Sequence, residues 1–568
     1  MEKKVIKFSD YKVATPSLKK IETKFIVLLD ELKKANTFEE TYKIIKKWNK
    51  LSDDINTTFS IIYVRYSLNT QDKIAKRNQQ KVDEISPVLS KYSNEYAKLL
   101  LASPFKEELK KKLGSYLFDM YESSLKTFNE SIIPDLIEEN KLSSSYDEVI
   151  GSAEIEFNGE VYNISQMGKF LTSKDRETRK MAAIAQDKWF SEHEKNIGDI
   201  YSNLVKVRDK IAKELGFKNF IELGYLRLGR LDYTAEDVKK YRDQITEVVV
   251  PISQKLFKNQ MKMVGIKSPQ YYDYNLAFKT GNPMPKGNKD YLVSIAKKSY
   301  EDMSKETGDF FNYMLDRDLM DLEARKGKTG GGYCTYFPKY KAPFIFSNFN
   351  GTESDVNVLT HEFGHALQAY LSSGIKVPEY RSPTLEACEI HSMSMEFFAW
   401  PYMNEFFDNG DKYRYAHLAD AINFLPYGIS IDEFQHWVYE NPNASHEERC
   451  LKWKEIECKN LPHKKYDDCP FYNHGGWWMK QSHVFGTPFY YIDYTLAQVC
   501  AFQFLNEMRK NPSKAWKKYI KLCKFGGKAP FVNLLKANNL RNPFIDGNVK
   551  KAIKPLIKIL NSFDISKF

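Results

Sequence analysis

The stretch VLTHEFGHALQAY, Val358 to Tyr370, decides how this chain is read. Val358, Leu359, Phe363, Ala366, Leu367 and Tyr370 recur at helical spacing and predict a buried helix over about 356–372. On a helix, residues four apart share one face with Cβ atoms about 5–6 Å apart, so His361 and His365 can reach one small cation. Glu362 stands beside the pair, where it can take a proton from an attacking water without being a ligand. The pattern is HExxH, with a separate physical role for each of its three residues. Apart from His193, every histidine lies at or beyond position 361, so imidazole chemistry belongs to the C-terminal part.

A catalytic zinc keeps three protein ligands and one open position, so a third ligand is required. The longer pattern HExxHxxGxxH is not met, because Gln368 and Leu371 occupy the glycine and third-histidine positions. That leaves a carboxylate. RSPTLEACEIHSMSMEFFAW begins with Ser382 as N-cap and Pro383 as first helical residue, which predicts a helix over about 383–400. It carries Glu386, Glu389 and Glu396 at helical spacing, and composition does not choose among them. Any one of them taken singly reads better as an exposed helix charge.

The bounds agree with an ordinary soluble globular protein. The chain has 568 residues, 42% hydrophobic and 28% charged, which excludes disorder as the class. Its net charge of +11 is spread as Lys among Glu on helical segments, without the clustered footprint that nucleic-acid binding requires. The seven cysteines form an odd set with no CxxC pair, and no apolar h-region follows the lysines of MEKKVIKFSD. A reducing, cytoplasmic setting is expected. No apolar run approaches the roughly 20 residues needed to span a bilayer. The terminal Ser566-Lys567-Phe568 is near a peroxisomal SKL signal but does not match it.

From Lys19 to about Val149 the pattern is helix after helix, with Thr37 and Glu40 offering a capping box before the second. AEIEFNGEVYNIS alternates around Asn158-Gly159 and predicts a β-hairpin near 153–165. KGKTGGGYCTYFPKYKAPFIFSNFN, Lys326 to Asn350, reads as a glycine run and then a strand pair beside the histidine helix. It lacks the GxxxxGK[ST] phosphate loop. The division expected is an N-terminal helical region over 1–180 and a catalytic region over 181–568, in a mainly α chain with a small β element.

HEFGH, followed about two dozen residues later by EIHSMSME, resembles the zinc oligopeptidases of the thimet oligopeptidase and oligoendopeptidase F group. VRDKIAKELGFKNFIELGYLRLGRLDY, YYDYNLAF with GNPMP, KTGGGYC and PFIFSNFNGTESDVNVLTHEFGHA are similar to its oligoendopeptidase F branch. The resemblance covers residues 150–500. It implies a two-lobed, mainly helical zincin-type fold closing over a deep substrate channel. It implies one zinc per chain on His361, His365 and Glu389, with Glu396 as a supporting acid. It also implies a histidine and tyrosines near the C-terminus, which SHVFGTPFYYIDY supplies as His483, Tyr490, Tyr491 and Tyr494, on a helix expected over about 484–506. Tyr491 and Tyr494 are favoured over Tyr490, because they share one helical face.

On this reading Glu362 is the general base, and His483, Tyr491 and Tyr494 are oxyanion-side donors. The strand Phe344 to Phe349 offers an edge for an extended peptide. The expected substrates are short unstructured peptides cut internally, with no nucleic-acid or membrane partner; the residues leave the oligomeric state open. Two alternatives stand beside it. A carboxypeptidase would need a dedicated cation for the terminal carboxylate, and no arginine announces one. A zinc-stabilised peptide-binding protein would need neither Glu362 nor the tyrosines.

Overall fold

Three long helices, Leu18–Lys34, Phe38–Leu68 and Lys73–Leu101, open the chain in the computed structural model, which describes residues 5–568. Their apolar stripes meet in a core of their own, built on Phe25, Leu29, Ile45, Trp48, Leu89 and Tyr96, with Trp48 stacked on Tyr96 at 4.0 Å. Each such buried side chain contributes about 1.5–3 kcal/mol. The capping box forms with a shift. Thr37 Oγ1 accepts from the Glu40 N–H at 3.2 Å, but the Glu40 carboxylate accepts from the N–H of Asn36, one residue earlier than a reciprocal box requires.

This N-terminal core also receives Val377 and Tyr380, from the loop that joins the two helices of the candidate site. Leu117 N–H donates to the Tyr380 hydroxyl at 2.8 Å, and Arg381 grips both oxygens of Asp53 at 2.8 and 2.9 Å. A Cβ at Gly114, which sits at φ 98°, would lie 2.7 Å from that hydroxyl, so the contact requires glycine. The early helices thus brace the loop on which the site depends.

The hairpin forms as expected, β1 (Ile155–Phe157) against β2 (Glu160–Tyr162), with Asn158 and Gly159 both at positive φ. The second sheet differs from the expected strand pair. Strand β3 (Met320–Glu323) runs parallel to β5 (Ala342–Phe349), and β4 (Tyr333–Phe337) runs antiparallel to β5 on its other side, giving the order β3-β5-β4. Because β5 is paired on both sides, the segment Phe344 to Phe349 is the centre of the sheet and not an edge. The edge that adjoins the histidine helix is β4.

The boundary placed at residue 180 falls in the first turns of an unbroken helix, Arg176–Glu214. Residues on both sides of it, such as Tyr11, Ile61, Tyr146 and Phe190, enter one large core that extends to Leu560. Within that core the histidine helix (Ser354–Ser372) lies on β5 and on the glutamate helix (Leu385–Phe398), which packs in turn along the tyrosine helix (Tyr491–Met508). The glutamate helix begins two residues later than expected, with Thr384 as N-cap. The Ser382 carbonyl instead packs on Gly527, where a Cβ would approach it to 2.2 Å.

The helix expected over 484–506 is two helices, Ser482–Gly486 and Tyr491–Met508. Phe489 breaks it at φ 67°, a left-handed conformation that a bulky residue holds only when its surroundings fix it. They do so here. Buried Arg230 donates to the Phe489 carbonyl at 2.6 Å, and the Phe489 N–H donates to Gln435 at 2.9 Å. Among the described residues no helix is long and apolar enough to cross a membrane. All seven cysteines are free.

Candidate active site

The histidine helix presents His361 and His365 from a buried surface. Phe363 stacks on Tyr300 at 3.6 Å behind it, and Leu359, Ala366 and Leu367 are fully buried. The glycine of HEFGH has a steric role. A Cβ on Gly364 would lie 2.6 Å from the His391 carbonyl and 2.7 Å from Ser392 Cα, so only glycine lets the glutamate helix approach this closely.

That approach brings Glu389 between the imidazoles. Its Oε2 lies 3.2 Å from His361 Nε2 and 3.3 Å from His365 Nε2. Burial alone would raise the Glu389 pKa, but the two imidazoles pull it well below the usual carboxylate range. Geometry therefore selects among the three glutamates. Glu386 points away into a separate buried cluster, where Tyr233 donates to it at 3.0 Å and Arg230 lies close by, paired to Asp493 at 2.5 Å.

Glu396 sits behind the first histidine. His361 Nδ1 donates to its Oε1 at 2.7 Å, and His417 Nε2 donates to its Oε2 at 2.6 Å. Trp400 Nε1 can only donate, and it reaches His417 Nδ1 at 3.1 Å, so the His417 proton is on Nε2. A proton on His361 Nδ1 leaves the Nε2 lone pair facing Glu389 and His365, as a metal ligand requires. Sequence reasoning missed His417 and Trp400; neither has a spacing that would have marked it.

Two nitrogens and one carboxylate oxygen within 4.8 Å of one another suit zinc. Burial lowers the His361 pKa, yet its bonds to Glu389 and Glu396 raise it well above its ordinary value overall. The same negative surroundings that hold a proton there favour a divalent cation. The donor set fits the metal that the sequence implies.

Glu362 is buried, and its Oε2 has no hydrogen-bond partner in the protein. Burial raises its pKa, with His365 and His361 opposing, so it is a stronger base than an exposed glutamate. Gly332, at the start of β4, passes so near that a Cβ would be 3.5 Å from Glu362 Oε1.

A third wall comes from the C-terminal segment. Tyr427 donates to Gln481 Oε1 at 3.0 Å, Gln481 Nε2 donates to His483 Nδ1 at 2.7 Å, and His483 Nε2 lies 3.2 Å from the Tyr494 hydroxyl. Gln481 fixes the tautomer, so His483 is a neutral donor through Nε2, and burial pushes its pKa down to about 4. Of the two adjacent tyrosines, it is Tyr490 that reaches Glu389. Tyr490 donates to Glu389 Oε1 at 2.5 Å, whereas the Tyr491 ring packs edge-on to Phe424 and Tyr427. The break at Phe489 is the reason: Tyr490 is turned toward the glutamate, and it lies 5.0 Å from Tyr494 between ring centroids.

Two histidines four apart on a buried helix, a glutamate from the next helix and a further glutamate beside them match the donor pattern of a zincin-type centre. Residues 169–552 match the model of peptidase family M3, and residues 8–128 match that of the peptidase M3 N-terminal domain. The chain belongs to peptidase family M3. It is similar to an oligoendopeptidase F homolog of Mycoplasma genitalium, 23% identical over 282 residues, which are 46% of this chain and 43% of that one. It thus spans less than half the length of that curated relative. Among solved structures it is similar to PZ peptidase A with an inhibitor, at 48% identity and TM-score 0.97, covering 98% of this chain and all of that one. A Bacillus anthracis structure described as an oligoendopeptidase F gives 47% identity and TM-score 0.93, with both chains fully covered.

Proposed function

We propose that the protein is a zinc-dependent oligoendopeptidase of the cytoplasm, cutting internal bonds of short unstructured peptides. The observation that carries this reading is the convergence of His361, His365 and Glu389 with Glu362 beside them and outside the ligand set. A zinc held by the three would act as a Lewis acid on the scissile carbonyl and acidify water. Glu362 accepts the proton of the attacking water and later delivers it to the leaving amine. Tyr494 accepts from His483 Nε2–H, which leaves its own O–H to donate to a developing oxyanion, with Tyr490 beside it. The catalytic machinery lies in 181–568, with the helices of 1–180 bracing the loop at Tyr380.

Substrate holding moves from β5 to the β4 edge, because β5 has no free side. An extended peptide on Tyr333–Phe337 would run beside Glu362, gaining main-chain hydrogen bonds with little sequence preference. A channel over this edge would restrict substrates to unfolded peptides.

The test is a pool of peptides from about five to about forty residues, with products read by mass spectrometry; hairpin-free main-chain pairing sets the preference for extended chains. Internal cuts confined to the shorter members are expected. Stepwise loss of C-terminal residues would make the enzyme a carboxypeptidase, and no cleavage with zinc bound would make it a binding protein.

The tyrosine assignment has its own test. Tyr494→Phe should lower kcat by about 10²–10³, the usual cost of removing one preorganised oxyanion donor, whereas Tyr490→Phe, which removes the donor to Glu389, should weaken zinc binding. Tyr491→Phe should remain near wild type, and the reverse pattern would restore the choice made from helical spacing.

A further inference from the structure

Among the described residues a second group of ligand-type side chains converges away from the catalytic candidates. Glu194 lies on the long helix Arg176–Glu214, Cys450 on the helix His446–Asn460, and His474 just after the turn Pro470–Asn473. Their ligand atoms lie within 4.8 Å of one another. His446, four residues before Cys450 on the same helical face, adds a fourth donor.

The distances resemble those of the catalytic set. Glu194 Oε1 is 2.8 Å from His446 Nε2 and 3.1 Å from His474 Nε2, and Cys450 Sγ is 3.6 Å from His446 Nε2. Ligands about 2.0–2.3 Å from one tetrahedral ion lie roughly 3.3–3.8 Å apart, so the sulfur contact is already at ligand spacing and the Glu194 contacts need open by only about half an ångström or less.

Two glycines permit the convergence. A Cβ on Gly198 would lie 2.9 Å from His446 Nδ1, and one on Gly475 would lie 2.0 Å from the Cys450 carbonyl. Each is a point where the neighbouring segment comes too close for any side chain.

A Cys-His-Glu nucleophile is the rival reading of these residues, and the geometry speaks against it. Such a relay uses both imidazole nitrogens, one toward the thiol and one toward the carboxylate. Here both contacts go to His446 Nε2, while its Nδ1 is buried without a partner. Cys450 is only 1% exposed, so no substrate reaches its sulfur. Donors crowded onto one point from several sides are what a shared cation explains.

We infer that Glu194, His446, Cys450 and His474 form a second divalent-cation site, of zinc type by its one thiolate, two imidazoles and one carboxylate. The thiol loses its proton on binding. The ion ties three separate segments together and, as a closed set of four protein ligands, is structural. It also fixes the start of the segment that leads through Trp478 to Gln481 and His483.

The test titrates metal-stripped full-length protein with Co²⁺ and reads the near-ultraviolet thiolate-to-cobalt charge-transfer absorption. The catalytic donor set contains no sulfur, so this signal reports the second site alone. Because the catalytic set also takes cobalt, saturation by about two equivalents is expected in the wild type and by about one in His361→Ala, which retains the signal, whereas Cys450→Ser loses it. His474→Gln changes an exposed side chain, so it should weaken cobalt binding at the second site without unfolding the protein. Absence of the absorption in wild type, its persistence in Cys450→Ser, or an unchanged titration in His474→Gln would each overturn the inference. Because His361→Ala removes only the catalytic ligand, failure here leaves the peptidase reading standing, and the reverse also holds.

Discussion

Glu362→Gln binds zinc with wild-type stoichiometry and loses about 10²–10⁴-fold in kcat/KM, the range for a positioned general base. The two effects separate because Glu362 is not in the ligand set. Its neighbours His361 and His365 turn their Nε2 atoms to Glu389, and its own Oε2 makes no protein hydrogen bond. Glutamine is isosteric and neutral, so the substitution neither opens a cavity nor strands a buried charge. It removes only the ability to take a proton. Metal content and peptide cleavage measured on the same preparation decide the matter: full activity, or loss of zinc, would show that Glu362 has another role.

The elements read directly from the sequence are those whose signal is local. The histidine helix, expected over 356–372, is Ser354–Ser372, because its apolar spacing and its packing face coincide. The hairpin at Asn158-Gly159 follows from the positive φ that both residues tolerate. Where the outcome depends on residues far away in the chain, the sequence was silent. Tyr490, and not Tyr491, faces Glu389 where Arg230, more than 250 positions earlier, holds the Phe489 carbonyl and the helix is broken. Strand β5 is central and not an edge because β3, only four residues long, pairs along its other side. His417 and Trp400 reach His361 through Glu396 from beyond the glutamate helix, and only the tertiary packing brings them there.

The choice of third ligand is the other point where a single side chain decides the chemistry. Glu389→Gln should lose zinc, because a neutral amide cannot balance the cation between two imidazoles. Glu386→Gln should keep zinc and lower the melting temperature, since Glu386 is tied to Tyr233 and Arg230 and makes no contact with the histidines. Glu396→Gln is intermediate. The His361 Nδ1 proton keeps an acceptor there but loses a charged one, and supporting partners of this kind are worth about 10–100-fold in metal affinity. The same contacts set the pH dependence. His361 has its pKa raised in the metal-free protein and must shed a proton to bind zinc, so affinity falls as pH is lowered through that raised value. Removing Glu396 weakens the hold on the proton as well as on the metal, so the loss of affinity should be smaller in acid than in base. Zinc titrations of the three variants at two pH values separate these cases, and zinc lost from Glu386→Gln but kept by Glu389→Gln would reverse the ligand assignment.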